Sequence, residues 1–209
     1  SCGWKDGLIK NPTEEDLIKN WANILYENNN DIDHLNGCRL TDGEMRQILG
    51  QIDALKSPYK LNTFINGKSV TIIRDNQDDS VHFSSPVTLK IYDRMEIAAG
   101  NSRYQIVEQP RFKTTNNVYP NRRGDLMLLI NGMPVYHIEL KKSGVPLSQA
   151  ETQIQKYMIN NAFTGIFSLI QVFIAMNPEE SVYFANPGLD GKFNPLYYFH
   201  WTDINNEYI

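Results

Sequence analysis

Apolar positions near the N-terminus recur with a helical period. Leu17, Trp21, Ile24 and Leu25 share one face, and Thr13 with Asp16 three residues later forms a capping-box pattern ahead of them. This spacing predicts a helix that ends at Asn28-Asn29-Asn30. A second helix is expected behind Thr41 and Glu44, with Met45, Ile48, Leu49, Ile52 and Leu55 on its buried side. Ser57-Pro58 closes it, because the residue before a proline avoids the α region. The pattern then changes to β-branched and aromatic runs, Ser69–Arg74, Val87–Tyr92 and Tyr104–Glu108, with Asn76–Asp79 as an exposed turn. Two apolar runs around Asn131-Gly132 read as a hairpin. Ser148 and Glu151 open a further helix running to about Asn161, Phe167–Ala175 reads as a buried strand, and Val182–Phe184 and Tyr197–Trp201 as shorter ones. The whole reads as one α/β domain over residues 1–209, mainly helical over 1–58 and β-rich over 59–209, without internal repeats.

The hairpin carries the candidate chemistry. Asp125 stands at the start of one strand, and Glu139-Leu140-Lys141 at the end of the other. Side chains alternate along a strand, so Glu139 and Lys141 project to the same side. An exposed rim with a surface ion pair would be the ordinary reading of such charges. The strand Val135–Leu140 is mostly apolar, however, so its charges do not belong to a solvated face. Two carboxylates and an ammonium converging on an apolar sheet are costly unless something compensates them. A divalent metal facing a phosphodiester does so: oxygen ligands suit Mg²⁺, and a lysine can orient a water or offset developing charge. Register is the difficulty. A two-residue Asn-Gly turn with an unbroken ladder pairs Ile130 with Met133, hence Asp125 with Ile138, which leaves the two acids on opposite faces. A shared metal therefore requires an odd-length turn, such as Asn131–Met133, or a bulge, and Pro134 cannot donate a ladder bond there.

Composition narrows the partners. Hydrophobic residues make up 41% and charged residues 21% of the 209, as in ordinary globular domains. No apolar run is long enough to span a bilayer, and no signal peptide is apparent, so no membrane partner is expected. Cys2 and Cys38 form neither a metal spacing nor a disulfide framework, which fits a reducing cytoplasm. A net charge of −4 argues against tight autonomous DNA binding and for DNA delivered by a larger assembly. Asn66-Gly67-Lys68-Ser69 imitates the end of a phosphate-binding loop, but the required first glycine is Asn62, so ATP binding here is rejected. His34, His82, His137 and His200 have no zinc-site spacing; His137 shares Glu139's face and reads as a packed strand histidine. Gln153 and Tyr157, four apart, share one face of the helix after the acid-x-lysine strand, and Arg122 and Arg123 stand within reach of a phosphate near Asp125.

An acid followed by acid-x-lysine resembles the PD-(D/E)xK nuclease superfamily, with Gly124 where proline usually precedes the first acid. The surrounding EIAAGNSRYQIVEQ, LLINGMPVYHIELK, QIQKY and FTGIFSLIQVFIAMNPEESVYFAN are similar to the N-terminal nuclease domain of type I restriction enzyme R subunits. The resemblance runs from roughly Thr13 to the C-terminus and is densest from about Glu96 to Asn186. It implies a restriction-endonuclease-like core: a mixed central sheet flanked by helices in αβββαβ order without the first helix, plus an N-terminal helical segment. It further implies a type I site-specific deoxyribonuclease acting on double-stranded DNA in the bacterial cytoplasm. Asp125 and Glu139 would hold Mg²⁺, or Mn²⁺ in its place, and Lys141 would position or activate the water. Gln153 and Tyr157 match the family's QxxxY motif, and Arg123 its usual arginine two residues before the acid, with Arg122 beside it. ATP would act only through motor domains beyond this chain, and modification and specificity subunits would be partners. A family helix bearing a site glutamate would precede Gly3-Trp4, and Glu14 and Glu15 read instead as first-turn acids favoured by the helix dipole. The isolated chain is thus expected to fold but to bind metal weakly and cut little DNA. A stand-alone repair or resolvase-type nuclease and a non-catalytic docking module are the alternatives.

Overall fold

The structure of the protein, a computed structural model, describes residues 7–67, 69–91, 102–113, 121–188 and 191–207. Cys2, Gly3, Trp4, Lys68, Tyr92 and the stretch 96–101, all used in the sequence reading, lie outside them. The first helix, α1 (Glu14–Asn28), is capped as its sequence dictates: the Asp16 amide donates to Thr13 Oγ1 (3.2 Å) and the Thr13 amide donates to Asp16 Oδ2 (2.9 Å). It buries Leu17, Trp21, Ile24 and Leu25. The same reciprocal cap joins Thr41 and Glu44 ahead of α2 (Asp42–Asp53).

Ser57-Pro58 opens a helix and does not close the one before it. The second helix stops at Asp53, and Ser57 caps a third, α3 (Pro58–Ile65), with Pro58 in its first turn, where a missing N–H costs nothing. The N-terminal part is also not helical throughout, since Leu8–Lys10 forms strand β1. The last helix, α4 (Ser148–Ile159), lacks the expected capping box: Leu147 occupies the cap position and no side chain bonds the free amides. The apolar run expected as the strand Phe167–Ala175 is divided between a 3₁₀ turn over Gly165–Leu169 and a strand that starts at Val172. Asn76–Asp79 is not wholly exposed either, because Asp79 is buried.

The strands are β2 (Ser69–Ile73), β3 (Pro86–Lys90), β4 (Tyr104–Glu108), β5 (Arg111–Lys113), β6 (Asn121–Arg123), β7 (Leu126–Ile130), β8 (Met133–Leu140), β9 (Val172–Met176), β10 (Ser181–Ala185) and β11 (Phe199–His200). Seven of them form a mixed sheet in the order β1-β4-β7-β8-β9-β10-β11, parallel at β1–β4 and β8–β9 and antiparallel elsewhere. Strands β2 and β3 pair as a separate ribbon, as do β5 and β6. One face of the large sheet is the core, where Val107, Met127, Leu129, Phe173 and Phe184 meet α1 and α4 side chains such as Trp21 and Ile154. This is an α/β fold with a large mixed sheet and four helices among the described residues.

The central hairpin resolves the register problem by a bulge. Asn131 (φ 50°) and Gly132 (φ 82°) make the two-residue turn their sequence favours, pairing Ile130 with Met133. A Cβ on Gly132 would lie 2.9 Å from Trp21 Cδ1, so glycine also lets α1 approach. Leu129 pairs with Pro134 but Leu128 with Tyr136, so Val135 is the extra residue. Below it, Leu126 faces Ile138, and continuing that register by one residue sets Asp125 against Glu139, whose carboxyl it influences.

Candidate functional site

Asp125 sits where the hairpin of β4 and β7 bends into β5 and β6. Two backbone bonds hold that bend, from the Gln109 amide to the Asp125 carbonyl (2.8 Å) and from the Gly124 amide to the Pro110 carbonyl (3.0 Å). The Asp125 side chain reaches across to β8, where its Oδ2 accepts the Leu140 amide (2.8 Å). Gly124 is needed here for a steric reason, since a Cβ would come within 2.5 Å of His137 Cε1.

Glu139 is fully buried. Its Oε1 lies 2.8 Å from His137 Nε2, while Oε2 has no hydrogen-bond partner among the described residues. Burial pushes the Glu139 carboxyl above the usual range; the His137 contact opposes this, and the Asp125 carboxylate adds to it. His137 is indeed a packed strand histidine, ringed by Phe112, Phe163 and Phe173, but it also touches the candidate ligand.

Lys141 follows on the same side and is held by α4. Its Nζ donates to Gln153 Oε1 (2.6 Å), Gln153 Nε2 donates to the Tyr157 hydroxyl (2.6 Å), and that hydroxyl donates to the Arg123 carbonyl (2.7 Å). Every link in this chain has one possible direction once the lysine is an ammonium. Burial first, and then the Glu139 charge, push the Tyr157 hydroxyl up to about 12, so it stays a donor. The structure thus brings Asp125, Glu139, Lys141, Gln153 and Tyr157 together. Arg123 joins through its backbone while its side chain is exposed, and Arg122 lines a neighbouring cavity of about 440 Å³. That cavity also holds Ser148, Thr152 and Lys156, which sequence reasoning missed, although their four-residue spacing along one helix face was a readable signal. Glu14 and Glu15 are engaged elsewhere, Glu14 with the backbone at Ile166 and Glu15 in an ion pair with Lys113.

No cluster of three or more His, Cys, Asp or Glu side chains among the described residues is arranged to hold a metal ion. The Asp125–Glu139 pair nonetheless fits a hard divalent cation. Its donors are carboxylate oxygens, Asp125 adds to the cost of ionising Glu139, and one buried Glu139 oxygen has no partner among the described residues.

The family described as type I restriction enzyme R protein N terminus matches residues 3–192. The type I restriction enzyme SsaAORF53P endonuclease subunit of Staphylococcus saprophyticus is 32% identical over 100% of this chain and 20% of its own length. The SauMSSORF170P endonuclease subunit of Staphylococcus aureus is 32% identical over 92% of this chain and 19% of its own length. The EcoprrI endonuclease subunit of Escherichia coli is 27% identical over 94% of this chain and 64% of the matched sequence. The chain therefore spans about a fifth of the length of the staphylococcal relatives. With nearly all of its residues inside the match, this chain belongs to the family of type I restriction enzyme R protein N-termini.

Proposed function

We propose that this chain is the DNA endonuclease domain of a type I restriction enzyme R subunit, built on a PD-(D/E)xK core and hydrolysing phosphodiesters. One observation carries the reading: the bulge at Val135 sets the register that, continued one residue past β7, puts Asp125 against Glu139, and the two carboxyls interact beside the strand end from which Lys141 reaches α4. Asp125 and Glu139 would hold Mg²⁺, or Mn²⁺ in its place. When bound, that ion would polarise the phosphoryl group and offset the charge that develops on its oxygens. Glu139 is preset for such a role, with Oε1 engaged by His137 and Oε2 left open. Asp125 is fixed through the Leu140 amide, so neither acid has to be ordered on binding. Lys141 carries a positive charge whose position the Gln153–Tyr157–Arg123 chain determines. Its Nζ, three donors with one committed to Gln153, can hold a water or a phosphate oxygen beside the acids. Arg122, Lys156, Thr152 and Ser148 around the adjoining cavity suit the sugar-phosphate backbone, which such groups contact without reading sequence.

In this reading the target sequence is chosen elsewhere. Double-stranded DNA would be delivered by ATP-driven motor domains of the same subunit, working with modification and specificity subunits. The net charge of −4 supports that division, since tight autonomous binding to DNA usually needs a basic surface. The test is made in the intact restriction complex, where Asp125→Ala, Glu139→Ala and Lys141→Ala should each abolish cleavage while leaving ATPase and translocation intact. Wild-type cleavage by any of the three would remove that residue from the site, and wild-type cleavage by all three would refute the reading.

A further inference from the structure

His137 and Glu139 are both fully buried, and among the described residues the imidazole makes one polar contact, Nε2 to Glu139 Oε1 at 2.8 Å. Facing a carboxylate oxygen, Nε2 is the nitrogen that carries hydrogen, which leaves Nδ1 a lone pair without a partner. The ring cannot easily swing away. Phe112, Phe163 and Tyr157 pack around it with centroids 5.5, 5.4 and 6.1 Å distant. Gly124 lies against Cε1 so closely that no side chain fits between them, which means the same ring also sets the path of backbone into Asp125. A histidine needed only to fill space could be replaced by a phenylalanine of this aromatic cluster. What it adds is a hydrogen-bond donor aimed at one oxygen of the buried acid.

We propose that His137 is a positioning residue for cation binding: its Nε2–H holds Glu139 by Oε1 so that Oε2 faces the ion, while its ring braces the backbone that carries Asp125. The proposal rests on the nuclease-site reading above. Partners that orient a metal-ligating group are worth about 10–100-fold in affinity.

The test is an Mn²⁺ titration of the 209-residue chain into the millimolar range, read by electron paramagnetic resonance, with a thermal melt of each variant. His137→Phe keeps the ring packing and removes the donor, and it should weaken Mn²⁺ binding at least about tenfold. His137→Gln restores an N–H towards Oε1 and should remain within about threefold of wild type, on the same scale. If the phenylalanine variant does not fold, His137→Asn, whose shorter amide falls short of Oε1, takes its place in the comparison. Unchanged binding by the donor-less variant, with binding lost in Glu139→Ala, overturns the role of His137 alone. Equal weakening by the donor-less variant and His137→Gln reduces the residue to packing and overturns it too. No Mn²⁺ binding by the wild type, or binding indifferent to Asp125→Ala and Glu139→Ala, overturns the nuclease-site reading and this proposal with it.

Discussion

Two buried charged clusters in this molecule are built on opposite principles. In the first, the Arg74 guanidinium donates to Asp79 Oδ2 (3.0 Å), Glu44 Oε2 (2.6 Å) and the Cys38 carbonyl (3.2 Å). Glu44 also accepts the amides of Thr41, Asp75 and Asn76, and Asp79 accepts Asn36 Nδ2 and the His82 amide. The cluster is closed, and no buried side-chain nitrogen or oxygen of Arg74, Glu44 or Asp79 lacks a partner. In the second, Glu139 and His137 are equally buried, yet Glu139 Oε2 and His137 Nδ1 have none among the described residues. A satisfied cluster ties loops to a helix; an unsatisfied carboxylate oxygen in a similar setting marks a place prepared for something else.

The largest effect that would break this contrast is expected in the closed cluster. Arg74→Leu leaves Glu44 and Asp79 buried without a countercharge and should cost about 3–5 kcal/mol of stability, read by urea unfolding. Mn²⁺ binding should be unaffected as long as the variant is folded.

The acids should also respond to pH in opposite senses. Burial alone would raise Asp79, but hydrogen bonds led by Arg74 hold its carboxyl at about 2. Its contribution is therefore present above the ordinary aspartate value near ~4 and disappears as pH falls through about 2. Glu139, raised chiefly by burial, contributes in the other direction. Its neutral form is favoured in the fold, so stability is lost as pH rises from the ordinary glutamate value through the raised one. Without divalent ions, melting of Glu139→Gln against wild type should show an advantage that grows over that interval, whereas Asp79→Asn should lose least at the acid end. The same sign for both would erase the distinction between the clusters.

A smaller effect sharpens the open site. Gln153→Ala removes the acceptor that places Lys141, and it should slow cleavage by the intact complex about tenfold, less than Lys141→Ala. Smallest of all, Thr41→Ala should cost about 1 kcal/mol through the lost cap of α2, with cleavage per folded molecule unchanged.

The open cluster was far more legible in the sequence than the closed one. Asp125, Glu139, Lys141, Gln153 and Tyr157 follow strand alternation and helix spacing, and the conflict between Asn131-Gly132 and a shared metal pointed to the bulge that Val135 supplies. The caps at Thr13 and Thr41 were likewise local signals. Arg74 was not readable, because its partners lie 30 residues before and 5 after it, and a strand-end arginine otherwise belongs in solvent. Ser57-Pro58 was read in one direction although the same dipeptide can end one helix and open the next. The capping pattern at Ser148 failed because the chain enters α4 one residue earlier, at Leu147. Phe167–Ala175 is apolar except at Ser168 and Gln171, and such a run suits burial in either state, so the pattern could not separate the 3₁₀ turn from the strand.

The central claim is that Asp125 and Glu139 together form a cation site. Anomalous scattering from crystals of the protein soaked in Mn²⁺ examines it most directly. The account predicts a peak in contact with Glu139 Oε2 and the Asp125 carboxylate, and no peak there in Glu139→Ala crystals. A peak that avoids both carboxylates, or none at saturating Mn²⁺, would contradict it.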